Sequence, residues 1–148
     1  MRVEIGYPDR DAESLILETQ GGTAEPVDDL GAVTTASEVR SLSDALGAIH
    51  VAPALRSYLL DLAAATRRHP ALDLGLSPRG LLALQRVARA QAASHGRTFV
   101  TPDDVKALAR VVLPHRLVTT PESRMRGVGP SDIVTEIIDG VPVPRPSS

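Results

Sequence analysis

Four segments of this chain begin the same way. A proline stands at the head of a stretch whose apolar residues recur every three or four positions: Pro53, Pro78, Pro102 and Pro130. Proline suits the first helical position, because its fixed backbone angle matches a helix and its missing N–H would have no partner there. Leu55, Leu59, Leu62 and Thr66 form one stripe; Leu81, Leu84, Ala88 and Ala92 a second; Val105, Leu108, Ala109 and Val112 a third; Ile133, Val134, Ile137 and Ile138 a fourth. Such spacing buries one face of each segment and leaves little choice of fold class. His69-Pro70 and Gly96 end the first two of these helices.

Outside these four the signals are weaker. Asp9 or Asp11 can cap a helix running to about Thr19, with Leu15, Ile16 and Leu17 as its apolar content. From Ser37 a helix fits Val39, Leu42, Leu46 and Ile49, with Gly47 weakening its end. Arg2-Val3-Glu4-Ile5 alternates like a strand but has no clear neighbour to pair with. Residues 21–34 carry no period and read as an irregular connection, TTPESRMRGVG reads as loop, and the tail VPVPRPSS excludes helix. The expected fold is all-α, a bundle of about five helices with a short orphan strand at its N-terminus.

Composition supports this. Aromatics make up 2% of the 148 residues, too few for a typical sandwich or barrel core, while 43% hydrophobic content is enough for a helical one. Cysteine is absent, which excludes disulfides and thiolate metal sites. No apolar run approaches the roughly 20 residues of a membrane span, so no membrane is expected and the reading is cytoplasmic. The net charge of −2 gives no general reason to expect nucleic acid, although fifteen of the sixteen basic residues are arginine.

Several chemistries are missing. No glycine-rich phosphate loop can be built, because the only lysine is Lys106. Gly75 and Ser77 resemble a nucleophile elbow, but the second glycine comes one residue late and the context is helical. His50, His69, His95 and His115 lack the spacing of a zinc site, Asp28-Asp29 reads as solvated loop acids, and no metal site is expected. Arg79, Arg86 and Arg89 lie near one face of the third helix, where a solvated stripe is the default reading.

Arg79 is different because of its place. Ser77 and Pro78 open the helix, so this cation sits in a first turn whose free N–H groups disfavour positive charge. Either an acid such as Asp73 meets it, the side chain bends away into solvent, or an anionic ligand compensates.

The segment LGLSPRGLLALQRVARAQAASHGRTFVTPDDVKALARVVLPHRL resembles the C-terminal helical lid of a MoxR-family AAA+ ATPase, whose members carry a GxSPR motif followed by GRxxVTPDDV. The resemblance extends back through YLLDLAAATRRHP and VEIGYPD and forward through GVGPSDIVTEIIDGVPVPR. It implies that Arg79 is the second sensor arginine, reaching from the lid toward the γ-phosphate of ATP, that Tyr7 and Pro8 form the hinge, and that Tyr7, Pro8, Ser77 and Pro78 join Arg79 in binding the nucleotide. Gly80 departs from the small helix former expected there, and Pro114, His115 and Arg116 receive no role.

The same resemblance implies a division of the chain. Residues 1–6 would be the last strand of an αβ nucleotide-binding domain, 7–20 the hinge and first lid helix, 21–36 a linker, 37–140 the lid bundle and 141–148 a disordered tail. The parent would bind ATP and Mg, assemble with neighbouring subunits in a ring, a hexamer by family resemblance, and act as a chaperone-like remodelling or cofactor-insertion machine on an unknown client. This chain lacks Walker A and B motifs, so by itself it is expected neither to hydrolyse ATP nor to bind it tightly. The residues alone leave open a free-standing helical interaction module, with nucleic acid as one class of partner.

Overall fold

The computed structural model describes residue 3 and residues 5–19 and 30–144. They fall into two compact units divided between Leu42 and Ser43.

The N-terminal unit contains helix α1 (Arg10–Thr19) and most of α2 (Ala36–Ala45). Asp9 caps α1 by accepting a hydrogen bond from the Ala12 N–H at 2.9 Å. Thr35, two residues before the expected Ser37, opens α2: its hydroxyl accepts from the Glu38 N–H, and the Glu38 carboxylate accepts from the Thr35 N–H at 2.7 Å. These hydrogen bonds from Thr35 and Thr34 hold the Glu38 carboxyl below its usual pKa. Neither helix buries a residue. Of the expected N-terminal strand, Arg2 and Glu4 lie outside the described residues, while Val3 and Ile5 are exposed and outside any strand. Residues 20–29, including Asp28 and Asp29, also lie outside them, as do the last four residues of the expected tail, 145–148.

The C-terminal unit holds the core. After a 3-10 turn at Leu46–Ala48 come α3 (Pro53–Arg68), strand β1 (Leu72–Leu74), α4 (Pro78–Ser94) and α5 (Pro102–Val112). A second 3-10 turn (Pro114–Arg116), strand β2 (Val118–Thr119), α6 (Pro121–Met125) and α7 (Pro130–Gly140) complete it. The four proline-headed helices form where the sequence places them, and their stripes are the core. Leu55, Leu59 and Leu62 of α3, Leu84, Ala88 and Ala92 of α4, Val105, Ala109 and Val112 of α5, and Ile133, Val134, Ile137 and Ile138 of α7 are all buried. Leu81 and Leu108 pack half-buried at the margin. Burying a Leu, Ile or Val side chain is worth about 1.5–3 kcal/mol, so this cluster fixes the helix arrangement.

Helix α4 ends as Gly96 predicts. Gly96 has a φ of +69°, and the N–H groups of Gly96 and Arg97 donate to the carbonyls of Ala93 and Ala92, both at 2.9 Å. This double closure needs a left-handed residue, which glycine supplies at little cost.

Two features depart from the sequence reading. β1 and β2 pair antiparallel, Leu72 opposite Thr119 and Leu74 opposite Val118. The segment read as loop contains α6, capped by the Thr120 hydroxyl, which accepts from the Ser123 N–H at 3.2 Å. The fold is helical with this small ladder added.

Candidate functional site

The chain entering α4 is fastened to the end of α3. Thr66, buried on α3, accepts the Leu76 N–H at 2.9 Å and donates its own hydroxyl to the Ala63 carbonyl at 2.7 Å. One residue on, the Arg67 Nε donates to the Leu76 carbonyl at 2.9 Å. Both polar groups of the Leu76 backbone are thereby satisfied by α3, while its side chain fills the core. Gly75 makes the approach possible: a Cβ there would lie 2.6 Å from the Arg67 Cα and 2.7 Å from its N. This glycine is required by close backbone packing, so the GxSPR segment begins with a structural device.

Ser77 follows with extended backbone angles, and its hydroxyl accepts the Gly80 N–H at 3.2 Å. That hydroxyl serves as the helix cap, the role its position suggests. Pro78 occupies the first helical position. Gly80, unexpected in the sequence, has a direct explanation: a Cβ at this buried position would stand 2.5 Å from the Leu76 Cδ1 and 3.4 Å from the Arg116 Cδ. Leu76 occupies the space that a larger residue would need, and the Arg116 stem packs alongside.

Arg79 therefore projects from an anchored turn. It is exposed, and among the described residues no hydrogen bond or ion pair engages its guanidinium; the alternative pairing with Asp73 is not formed. Ser77, Pro78 and Arg79 are thus brought together on one short segment. Tyr7 and Pro8 belong to the other compact unit, where Tyr7 is exposed.

The second motif, GRTFVTPDDV, is a clamp. Arg97 grips Asp104 with both ends of its guanidinium, Nη1 to Oδ2 at 2.7 Å and Nη2 to Oδ1 at 2.6 Å. Asp104 also accepts the Thr101 N–H at 2.8 Å, while the Thr101 hydroxyl accepts the Asp104 N–H at 3.3 Å, closing a reciprocal cap on α5. The hydrogen bonds from Arg97, against a counteracting cost of burial and with help from Thr101, hold the Asp104 carboxyl down to about pKa 2. The clamp is not among the features read from the sequence. The signal available was an arginine just past the Gly96 stop and an acid at the third position of the next helix.

The remaining candidates have local roles. His50 carries a short parallel bridge to Phe99; His69 faces Glu136 at 3.6 Å and accepts the Ala71 N–H; His95 Nδ1 lies 2.8 Å from the Gln91 carbonyl. Arg86 is exposed and Arg89 half-buried on α4, near Asp44 and Leu46. Among the described residues no group of three or more histidines and acids could hold a metal ion, and none of their helices is long and apolar enough to cross a membrane.

Comparisons with known proteins agree on a helical lid. The AAA lid domain model matches residues 64–137, half the chain, and the chain belongs to that family. It is 34% identical over 143 residues to the uncharacterized protein YeaC of Bacillus subtilis, covering 97% of this chain and 44% of YeaC. It is 26% identical over 153 residues to Chaperone MoxR1 of Mycobacterium tuberculosis, covering 97% of this chain and 40% of that protein. A crystal structure of a candidate ATPase from Cytophaga hutchinsonii superposes with a TM-score of 0.81 at 22% identity, over 95% of this chain and 45% of the other. At that identity the likeness establishes the fold. The chain spans less than half the length of these relatives.

Proposed function

We propose that this chain is the lid of a MoxR-type AAA+ ATPase and that Arg79 is the arginine by which the lid senses the γ-phosphate of ATP. The observation that carries the reading is the contrast at the start of α4. The turn is held by Thr66, Arg67 and the glycine at 75, yet the cation it presents is exposed and meets no carboxylate among the described residues. A guanidinium forked onto phosphate oxygens gains charge-assisted hydrogen bonds of about 1.5–3 kcal/mol, more than the roughly 0.3–1 kcal/mol that the helix dipole costs a surface cation.

In this reading ATP binds between the lid and the nucleotide-binding portion of the whole protein. Phosphoryl transfer to water builds charge on the γ-phosphate oxygens, and Arg79, positioned beforehand, stabilises that charge and ties the lid to the nucleotide state. Ser77 and Pro78 set the turn, and Tyr7-Pro8 is the hinge. In this reading the ion accompanying ATP would be held by the nucleotide-binding portion of the whole protein. The resulting motion would serve chaperone-like remodelling or cofactor insertion, with neighbouring subunits arranged as a hexameric ring. Residues 1–6 would be the last strand of the nucleotide-binding domain.

The test is ATP turnover by the natural full-length protein. Arg79→Ala is expected to lower it about 10–1000-fold with thermal unfolding unchanged. Arg86→Ala, further along α4, is expected to leave it within a few-fold. Unchanged turnover in Arg79→Ala overturns the assignment.

A further inference from the structure

Arg116 has no place in the reading so far, yet the ladder brings it to the same turn. β1 runs directly into Gly75, Leu76 and Ser77, and β2 directly follows the 3-10 turn that ends at Arg116. Because the strands are antiparallel with Leu74 opposite Val118, the segment entering α4 lies beside the segment leaving that turn. The contact is direct: the Arg116 Cδ lies 3.4 Å from where a Cβ on Gly80 would be, next in sequence to Arg79.

The chemistry of Arg116 is unfinished. Its Nε is shut off from solvent with no hydrogen-bond acceptor, and among the described residues no carboxylate pairs with its guanidinium. A buried donor on a permanently charged group is costly to leave unmade and calls for an explanation. Tyr58 Oη and Arg89 Nε are also buried without a partner, but of the three only Arg116 supplies an atom nearest the Gly80 position. The Arg116 stem thus packs against the residue next in sequence to Arg79, and among the described residues neither guanidinium is paired with an acid, so an anion reaching this turn would meet two uncompensated cations.

We propose that Arg116 is a second phosphate-binding arginine, acting with Arg79 on the polyphosphate of the same nucleotide. This inference rests on the reading of Arg79 as nucleotide-facing.

The experiment measures the affinity of the full-length protein for ATP and for adenosine by titration calorimetry, with turnover and thermal unfolding alongside. Arg116→Gln is expected to weaken ATP about 10–100-fold, the loss of a charge-assisted contact, and to leave adenosine within about two-fold. Unchanged ATP affinity, or an equal loss for both ligands, overturns the proposal. Should Arg116→Gln lose its unfolding transition, Arg116→Lys replaces it, keeping the stem and the charge. Its forked donors are gone, so ATP binding several-fold weaker is expected and wild-type affinity is the overturning result. Arg79→Ala separates the two levels. If it leaves turnover intact, the nucleotide reading itself falls; if it lowers turnover while Arg116→Gln binds ATP normally, only the role of Arg116 falls.

Discussion

Gly75 and the Arg97–Asp104 pair give the GxSPR and GRxxVTPDDV motifs a physical meaning that residue identity alone does not disclose. At Gly75 an added methyl group meets backbone atoms of α3 at 2.6 and 2.7 Å, which cannot rotate away as a side chain could. Gly75→Ala is therefore expected to destabilise the C-terminal unit by about 1–3 kcal/mol, net of the small gain from stiffening the unfolded chain, as read by urea unfolding. Asp104 makes a pH prediction. Its folded pKa of about 2 lies below that of an unfolded aspartate, so the unfolded state binds protons more readily as pH falls. The stability it contributes is fully present above about pH 4 and is lost as pH falls through about 2. Because Arg97 remains partly open to solvent, the effect is about 1–2 kcal/mol, and Asp104→Asn should remove it and flatten stability across that window.

Among the elements, those whose signals are local were legible and those whose signals are distant were not. The helices α3, α4, α5 and α7 each announce themselves by a proline start and a three-to-four period, and each forms at the expected place. β1 and β2 have three and two residues, too few for alternation to show, and they exist because they find each other across more than forty positions. α6 has five residues, less than two turns, and its Thr-Pro start was hidden in a polar run. The same distinction governs the site. Arg79 could be singled out because a cation in a first turn violates a local rule, whereas Arg116 comes near Gly80 only through the ladder. The anchoring of α4 by α3 was equally hidden, since Thr66 reads simply as one more member of the α3 stripe. Thr66→Val keeps the shape but strands the Leu76 N–H, so a loss of about 1–3 kcal/mol is expected, with faster hydrogen exchange at the Leu76 amide. Unchanged exchange there would show that α3 does not hold the turn.

At the scale of the whole molecule, the lid offers a phosphate one or two arginines and the N-terminus of α4, but no phosphate loop. One guanidinium, or two, does not replace the main-chain cradle that holds a nucleotide in such enzymes, so the isolated chain is expected to bind ATP with a Kd of about a millimolar or weaker. Calorimetric titration with ATP and magnesium checks this, and submicromolar binding would mean that the chain carries a complete site of its own. The central claim, however, concerns where one side chain goes when nucleotide is present. The most direct measurement is a structure of the natural full-length protein with a non-hydrolysable ATP analogue and magnesium. The Arg79 guanidinium is expected within hydrogen-bonding distance, about 3 Å, of a γ-phosphate oxygen. An Arg79 paired with a carboxylate, or pointing into solvent while the nucleotide is bound, would contradict it.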